Sequence, residues 1–311
     1  MVRKRVNEVN TVDDLLNTYR ETLKDKTHAP EYITLRGVPG FDVYNISAPF
    51  RLGDEHYIAG RVEKRDSERS KVYFFKKNED SWEVAEEAPI FELQDPFVTF
   101  IDDELVFGGV EIFETEEVPG AFKWRTVFYK GETLQDLERI FEGPMGMKDL
   151  RLKQLNDGRI LVMSRPQGEP GGRGTIGAVI VTSLDEVSVD VINDAKLFDN
   201  MCPADEWVGA NEVHLLDDQT VGVLGHIAKF DESGDRHYYS MALTLDIETL
   251  TPSELKIIAE RSDFLEGPAK RSDLEDVIFS GGLIREGNEA TLYAGISDAQ
   301  AQKVTIPDPF I

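Results

Sequence analysis

The chain has little of several features that mark specialised classes of protein. It contains one cysteine, Cys202, so it cannot form an internal disulfide. No run approaches the roughly 20 consecutive apolar residues that a membrane helix requires. The start, MVRKRVNEVN, is basic but lacks the apolar run of a signal peptide. We therefore expect a soluble, cytoplasmic protein without a membrane partner.

Basic residues are also scarce. Lys and Arg number 34 against 59 Asp and Glu, which gives a formal net charge of −25. Because proteins that bind nucleic acid gather Lys and Arg on one face, this balance argues against a nucleic-acid partner. The excess negative charge favours solubility. An anionic ligand would need a local basic cluster.

The usual signatures of metal and nucleotide sites are missing as well. One cysteine and 5 histidines show no metal-binding spacing, and there is no P-loop. The glycine-rich run QGEPGGRGTIG, residues 167–177, lacks the flanking strand and helix of a dinucleotide site. We expect no metal and no cofactor, and we interpret this run as a mobile loop or lid beside a site.

What the chain does have is one helical segment followed by many short strands. Apolar residues recur at helical spacing at Val12, Leu15, Leu16 and Tyr19. After residue 32, short alternating segments between Gly, Asp and Asn turns predict strands. With 311 residues and 41% hydrophobic content, the chain can form one large β domain. We predict an N-terminal helical extension over residues 1–31 and a single domain over residues 32–311.

A hairpin pattern recurs along the predicted β region. The stretch QDPFVTFIDDELVFGGVE, residues 94–111, resembles SAPFRLGDEHYIAGRVE, residues 47–63, and weaker copies lie at residues 148–166, 209–227 and 280–298. Repeats of this length with about four strands each are typical of a propeller. The sequence predicts an all-β fold, a five-bladed β-propeller with a short N-terminal helix. A sandwich or barrel with chance similarity between turns is the alternative.

The two ends of each hairpin carry polar side chains. Paired positions such as Asp95 and Glu111 are sixteen residues apart, and such positions return to one end of an antiparallel hairpin. In a propeller these ends converge on a central channel. The polar residues at the hairpin ends are Asn45, Arg61, Glu63, Asp66, Asp95, Glu111, Lys148, Asp149, Arg151, Arg165, Asn211, Glu212, His226 and Asp298.

This set suits a ligand with many hydroxyls and one anion. Carboxylates accept hydrogen bonds from hydroxyls, and arginine binds phosphate in a bidentate fork. Cleavage of a glycosidic bond normally uses two carboxylates, but one acid suffices where the nucleophile is already an anion such as phosphate. The basic members that could hold a phosphate are Lys148, Arg151, Arg165 and His226. His226 could equally be a hydrogen-bonded core histidine.

Other candidates also have structural alternatives. Asp95 precedes a proline and could merely start a turn. Arg61 with Glu63, or Lys148 with Asp149, could form a structural ion pair. The recurrence at a fixed offset, rather than any one residue, favours a site.

The same segments resemble glycoside hydrolase family 130. They are GRVEKRDSERS (60–70), QDPFV (94–98), KDLRL (148–152), SRP (164–166), GANEVHLL (209–216) with GHI, and LYAGISD (292–298). The chain looks closer still to a related group of mannosyltransferase-phosphorylases, formerly a domain family of unknown function. The resemblance implies a five-bladed propeller that acts on β-1,2-linked mannose with phosphate, mannose 1-phosphate or GDP-mannose.

The resemblance also implies roles for residues. Asp95 matches the catalytic aspartate, which gives its proton to the glycosidic oxygen, in the phosphorylases through a sugar hydroxyl. The positions that would hold the donor sugar are Asn45, Arg61, Glu63 and Asp298, and those around the phosphate are Lys148, Arg165 and His226. The family usually has Glu-Asp-Pro-Arg, whereas this chain has Gln94 and Phe97 around Asp95-Pro96. The change removes an acid and a positive charge, and Arg151 could replace the charge.

We therefore predict a glycoside phosphorylase or glycosyltransferase that moves a mannosyl group, with inversion, between a β-mannoside and phosphate. Its partners would be an oligosaccharide or sugar phosphate and inorganic phosphate, and an oligomer is compatible with the sequence. Further sugar contacts are predicted at Asp66, Glu111, Asp149, Asn211 and Glu212. The alternatives are an inverting β-mannosidase in which Glu212 or Glu111 activates water, and a non-catalytic sugar-binding propeller.

Overall fold

The structure, a computed structural model, describes residues 9–114 and 122–311. Strands account for 51% and helices for 9% of the described residues, which confirms a mostly β fold with a short helix near the start. Residues 1–8 of the predicted N-terminal extension lie outside the described residues, and the domain division after residue 31 stays a prediction. In the described part, no helix has the length and apolar composition to span a bilayer.

The strands form antiparallel units that follow one another along the chain. The first strand, β1 (His28–Tyr32), belongs with the last unit. The strands of the first unit are β2 (Leu35–Arg36), β3 (Asp42–Tyr44), β4 (Phe50–Leu52), β5 (Glu55–Glu63), β6 (Lys71–Asn78) and β7 (Ser81–Val84). They lie in the order β2-β7-β6-β5-β3, and β4 also pairs with β5.

The second and third units are four-stranded sheets. Their strands are β8 (Gln94–Ile101), β9 (Glu104–Glu114), β10 (Phe122–Gly131), β11 (Glu138–Glu142), β12 (Arg151–Gln154), β13 (Ile160–Ser164), β14 (Gly177–Val181) and β15 (Lys196–Leu197). Their orders are β11-β10-β9-β8 and β12-β13-β14-β15. Strands that are adjacent in sequence are neighbours in each sheet, as expected for hairpins.

The remaining strands and β1 form one nine-stranded sheet. The remaining strands are β16 (Trp207–Leu215), β17 (Thr220–Phe230), β18 (Arg236–Asp246), β19 (Thr251–Pro252), β20 (Lys256–Ala259), β21 (Asp276–Glu286), β22 (Glu289–Ile296) and β23 (Gln300–Pro307). The sheet has the order β1-β23-β22-β21-β18-β17-β16, with β19 and β20 also paired to β18. We call its β16–β20 part the fourth unit and its β21–β23 part, with β1, the fifth. The fifth unit is completed by β1, which pairs with β23. A short parallel pairing between β18 and β21 links the two units.

Every predicted hairpin repeat coincides with two antiparallel strands. The paired strands are β4 with β5, β8 with β9, β12 with β13, β16 with β17, and β21 with β22. Each pair lies within one unit. The repeats read from the sequence are therefore structural repeats.

Buried apolar side chains fill the spaces between successive units. Phe74 of the first unit and Phe107 of the second, with ring centroids 5.1 Å apart, belong to one such cluster. Another contains Phe75 of the first unit and Ala301 of the fifth. Among the described residues, clusters also join the second unit to the third, the third to the fourth and the fourth to the fifth. The units therefore pack in a closed series.

Helix α1 (Val12–Thr22) packs against the cluster between the third and fourth units. It starts with a capping box, because the Thr11 hydroxyl accepts from the Asp14 amide and the Asp14 carboxylate accepts from the Thr11 amide. Its buried side chains are those expected from the spacing, Val12, Leu15, Leu16 and Tyr19. A second helix, α2 (Val189–Asn193), precedes β15.

Candidate active site

A central cavity of about 530 Å³ opens where the hairpin ends of the described units meet. Each of the units contributes side chains to its wall. Eight of the fourteen predicted residues line this central cavity, namely Asn45, Arg61, Asp95, Lys148, Asp149, Arg165, His226 and Asp298. The hairpin repeat therefore brings more than half of the predicted set to one place.

Several of these residues have a rare backbone conformation. The φ angles of Asn45, Asp95, Asp149 and Asp298 are 43°, 50°, 56° and 50°. In this left-handed region the Cβ atom crowds the backbone, and Asn and Asp tolerate it better than other residues with side chains. Strained conformations of this kind cluster at functional sites. Their repetition around one cavity supports a shared role.

Asp95 is buried and held by two donors. Asn45 Nδ2 donates to Asp95 Oδ1 over 2.7 Å, and Arg61 Nη1 donates to the same oxygen over 3.1 Å. Burial would raise the pKa of Asp95, but the charges of Arg61 and Lys148 and these hydrogen bonds hold it below its ordinary value. The Asp95 carboxyl group is therefore ionised at neutral pH.

A second carboxylate near Arg61 behaves in the opposite way. Burial raises the pKa of Asp298, and the negative charge of Asp95 adds to the rise, while Arg61 opposes it. The environments of Asp95 and Asp298 thus separate the two pKa values. Carboxylates with separated pKa values are suited to different tasks in one site.

Behind the cavity wall, Glu63 anchors the Arg61 guanidinium. Arg61 Nε and Nη2 donate to Glu63 Oε2 over 3.0 and 2.8 Å, and the Tyr44 hydroxyl donates to the same oxygen. Lys270 Nζ lies 3.2 Å from the other Glu63 oxygen. The ion pair considered as a structural alternative is therefore present, and it also fixes the group that binds Asp95. Glu63 does not line the cavity.

Asp149 is paired with two arginines. Arg165 Nη1 lies 3.1 Å from Asp149 Oδ2, and Arg151 Nη2 lies 3.4 Å from Asp149 Oδ1. Arg151 is buried and also donates to the carbonyl oxygens of Leu150 and Asn211. It supports the wall from behind. Lys148 Nζ, which was considered as a partner of Asp149, instead lies 5.7 Å from the Trp124 ring centroid.

His226 lines the cavity but does not contribute a positive charge. Its Nδ1 is 2.8 Å from Asn211 Oδ1, and its side chain is almost fully buried. Burial lowers the pKa of His226 to about 4, although the Asp149 carboxylate opposes this. Desolvation favours the neutral ring, so the predicted contact between His226 and a phosphate would be a hydrogen bond and not an ion pair. His226 can still form hydrogen bonds, and Asn211 orients it.

The structure does not bring Glu111 to the cavity. It lies opposite Arg125 on the neighbouring strand β10, and its carboxylate is 2.9 Å from Arg125 Nε and 2.9 Å from Arg139 Nη2. Hydrogen bonds from Arg139 lower the pKa of Glu111 below its ordinary value. The position expected for Glu111, beside Asp95, is therefore wrong. Cross-strand pairing directs its side chain to the arginines of its own sheet.

Two other predicted sugar contacts also lie outside the central cavity. Glu212 accepts hydrogen bonds from His214 and from the Leu283 amide, and a register shift in β16 occurs between Ala210 and Glu212. This shift changes the face to which the strand presents its side chains. Asp66 is exposed on the turn after β5. Neither residue lines the cavity.

The cavity also contains residues that the sequence reasoning did not find. They are mainly arginines and aromatic residues, Arg173, Arg236, Arg271, Trp124, Trp207, Phe230, Tyr238 and Phe279. The guanidinium groups of Arg173 and Arg236 lie 5.2 and 5.5 Å from the Phe230 ring centroid. Arg173 belongs to the glycine-rich run that was expected beside the site, which was the available signal.

The charges that line the cavity differ from those of the whole chain. Its described lining has six Lys or Arg residues and four carboxylates, whereas the chain carries a net charge of −25. This is the local basic cluster that an anionic ligand requires. Among the described residues, no group of three His, Cys, Asp or Glu side chains could hold a metal ion.

The chain is similar to one protein family and to several solved structures. A family model described as "Protein of unknown function (DUF1861)" matches residues 20–311. No curated protein matches the chain. One of the solved structures is MPT-4, a mannose phosphorylase from Leishmania mexicana in complex with phosphate ion. It is 33% identical to this chain, the match covers 96% of this chain and 93% of the MPT-4 chain, and the TM-score is 0.87.

Two further structures extend the comparison. MPT-1, a GDP-Man-dependent mannosyltransferase from Leishmania mexicana, is 31% identical over 96% of this chain and 95% of its own, with a TM-score of 0.86. A β-1,2-mannobiose phosphorylase from Listeria innocua is 16% identical over 86% of this chain and 91% of its own, with a TM-score of 0.61. At that identity the likeness concerns the fold alone, and it confirms the resemblance in fold to glycoside hydrolase family 130.

Proposed function

The chain belongs to the DUF1861 family, and we propose that it transfers a mannosyl group, with inversion, between a β-1,2-linked mannoside and an anionic group. In phosphorolysis, inorganic phosphate accepts the mannosyl group. In synthesis, mannose 1-phosphate or GDP-mannose donates the mannosyl group to the acceptor mannoside. The observation that carries this proposal is Asp95, held by Asn45 and Arg61 in a cavity that also contains Lys148 and Arg165. The similarity to MPT-4 and MPT-1 supports the choice of a mannosyl group.

We also propose that the fold is a five-bladed β-propeller, with residues 32–311 and the paired strand β1 (His28–Tyr32) as one catalytic domain and the residues before β1 as an extension. Five antiparallel hairpins in the described chain support this count, the last two of which lie in one nine-stranded sheet. So does the cluster that joins the fifth unit to the first. In such a ring, the first strand of each blade lines the central channel.

The cavity walls suggest a division of roles. The sugar hydroxyls would contact Asn45, Arg61, Asp149 and Asp298, since carboxylates and amides can pair with hydroxyl groups. The phosphate would bind Lys148 and Arg165. Its P–OH group would donate to Nε2 of neutral His226, whose Nδ1–H donates to Asn211 Oδ1. Glu63, Arg151 and Asn211 would hold these side chains in place. Asp66, Glu111 and Glu212 have no role at this site in the proposal.

The ionised state of Asp95 suits one direction of the reaction in the free protein. When a mannosyl group is transferred to a hydroxyl, Asp95 would accept the proton of that hydroxyl as a general base. In phosphorolysis it must instead carry the proton that reaches the glycosidic oxygen. A phosphate bound at Lys148 would offset one of the charges that lower the pKa of Asp95. Phosphate binding would therefore favour protonation of Asp95.

Hydrolysis is less well supported. An inverting glycosidase needs a second carboxylate to activate water, and Glu111 and Glu212, the two residues considered for that task, lie outside the central cavity. Of the aspartates inside it besides Asp95, Asp149 is held by Arg151 and Arg165, and burial raises the pKa of Asp298. A non-catalytic sugar-binding propeller would use the same walls without turnover. The two alternatives therefore differ from the proposal in what they release.

One experiment separates the three functions. The protein is incubated with β-1,2-mannobiose, with and without phosphate, and both mannose 1-phosphate and free mannose are measured. The proposal expects mannose 1-phosphate that depends on phosphate. Equal release of free mannose in both samples would indicate a hydrolase. Binding of mannobiose without any product, including with GDP-mannose or mannose 1-phosphate as donor, would indicate a sugar-binding protein.

A further inference from the structure

A second cavity of about 830 Å³ opens beside the central one. It lies between the first and second units, and we call it the side groove. Four residues line both spaces, namely Glu68, Gln94, Trp124 and Lys148. The two cavities therefore adjoin at these side chains.

The side groove combines aromatic rings with charged groups. Phe113, Phe122 and Trp124 come from the hairpin of β9 and β10, and the charged side chains include Arg69 and Glu92. Phe122 is 50% exposed. An exposed apolar surface with polar residues around it, next to a candidate active site, is typical of a ligand-binding groove. A sugar chain matches this mixture, because each ring has an apolar C–H face and a polar hydroxyl edge.

The position of the side groove relative to Asp95 defines what it can bind. The oxygen that exchanges a proton with Asp95 is the one to which the remainder of the acceptor is attached. Gln94 precedes Asp95 and lines both cavities, and its Nε2 donates to the Glu68 carbonyl oxygen over 3.4 Å. An acceptor chain that starts at Asp95 can therefore pass Gln94 and Trp124 into the side groove.

The remainder of the central cavity's lining is more basic than the side groove. Arg165, Arg173 and Arg236 line it together with Phe230. This concentration of positive charge suits the phosphate of the donor better than an uncharged sugar chain. The phosphate would then lie between Lys148, on the wall shared with the side groove, and these arginines, and the acceptor chain would extend past Trp124 into the side groove.

We propose that the side groove binds the second and later sugar residues of a β-mannoside acceptor, with Phe122 as a determinant of acceptor length. The proposal rests on the function given above, because it presumes a mannosyl acceptor at Asp95. Phe113 and Trp124 complete the aromatic surface. The first acceptor sugar lies in the central cavity and does not contact Phe122.

The test measures binding in the absence of a donor, so that it does not depend on turnover. Calorimetry gives the Kd of β-1,2-mannobiose and of β-1,2-mannotetraose for the unmodified protein and for Phe122→Ala. We expect tetraose to bind more tightly than mannobiose. Loss of one aromatic contact should weaken tetraose binding about fivefold to tenfold and leave mannobiose binding unchanged. Phe122→Trp should keep the preference.

The matched control is Phe41→Ala, because Phe41 is 45% exposed and lines neither cavity. It should bind both ligands like the unmodified protein. Equal Kd values for the two ligands in the unmodified protein, or an unchanged tetraose Kd in Phe122→Ala, would overturn the inference.

A parallel assay with mannobiose and phosphate reports on the proposed function. Turnover without a length effect rejects the side groove alone, and a length effect without turnover rejects the function alone.

Discussion

Arg61 and Asp95 are joined by a hydrogen bond of 3.1 Å between Nη1 and Oδ1, and both side chains are almost fully buried. The same guanidinium group also binds Glu63 through its Nε and Nη2 atoms. One arginine therefore fixes the position of Asp95 and lowers its pKa. Replacement of Asp95 should mainly reduce the catalytic rate, whereas replacement of Arg61 should also reduce the free energy of unfolding.

Asp95→Asn should abolish most turnover while the mannoside still binds. The amide oxygen of the new side chain can still accept from Asn45, but it cannot exchange a proton, and loss of a general acid or base typically costs about 10²- to 10⁴-fold in rate. The assay is formation of mannose 1-phosphate, and calorimetry gives the affinity for mannobiose. Asp66→Asn, on an exposed turn, is the control and should be fully active. An active Asp95→Asn enzyme would contradict the role of Asp95.

Arg61→Lys should shift the pH profile as well as the stability. A lysine lacks the planar fork with which Arg61 holds Glu63 through Nε and Nη2 and Asp95 through Nη1, and breaking a buried ion pair costs about 3 to 5 kcal/mol. The pKa of Asp95 should rise, so the acidic limb of the mannosyl-transfer rate should move to higher pH. Rate against pH and urea unfolding measure the two effects. Arg65→Lys, in a more exposed pair with Asp42, should change neither, and an unmoved acidic limb would count against the pairing.

His226 should make the fold less stable as the pH falls from about 6.5 towards 4. Its pKa is lowered to about 4 in the folded state from an ordinary value of 6.5, so the unfolded chain takes up a proton that the folded chain does not. The free energy of unfolding should then decrease by up to about 1.4 kcal/mol per pH unit in this window. Urea unfolding at several pH values gives the slope of the unfolding free energy against pH, and this slope should be shallower for His226→Gln. His56→Gln, at an exposed position, should keep the original slope.

Glu111→Gln should leave turnover within about twofold, because Glu111 lies outside the cavity. Its ion pairs with Arg125 and Arg139 are partly exposed, and pairs of this type contribute only about 0 to 1 kcal/mol to stability. Glu212→Gln should retain activity as well, with some loss of stability from its hydrogen bond to the Leu283 amide. Initial rates with mannobiose and phosphate test both. A rate reduced as strongly as in Asp95→Asn would restore the hydrolase alternative.

Gly174→Ala should weaken phosphate binding. A Cβ atom there would lie 2.8 Å from Arg165 Nε, and the φ angle of 145° disfavours alanine. We expect the KM for phosphate to rise more than the KM for mannobiose, because Arg165 is displaced. Gly172→Ala is a matched control in the same loop, since its φ of 59° is also positive but no atom lies within 4 Å of an added Cβ. Equal effects in both variants would indicate backbone strain rather than displacement of Arg165.

The sequence was sufficient to predict the repeat and much of the site. The hairpin spacing depends on strand period and turn length, which are local properties, and it placed Asp95, Asp149 and Asp298 around one cavity. Helical spacing likewise identified the buried face of α1. Both patterns arise from neighbours along the chain, where periodicity is reliable.

Other features depend on contacts that local spacing does not contain. The position of Glu212 follows a register shift in β16, and that of Glu111 follows its pairing with Arg125 on the third strand of its sheet. Arg236 also lies on a third strand, β18, outside the repeated hairpin. The neutral state of His226 depends on its burial by several units. None of these could be inferred from a fixed offset.

The pairing of β1 with β23 has a consequence for biosynthesis. His28 lies opposite Thr305, so an early strand finds its partner only after nearly the whole chain has left the ribosome. Until then, β1 has an unsatisfied backbone edge that other strands could occupy. Co-translational folding can assemble the earlier units one by one, but the cavity they share gains Asp298 only when the fifth unit has been synthesised.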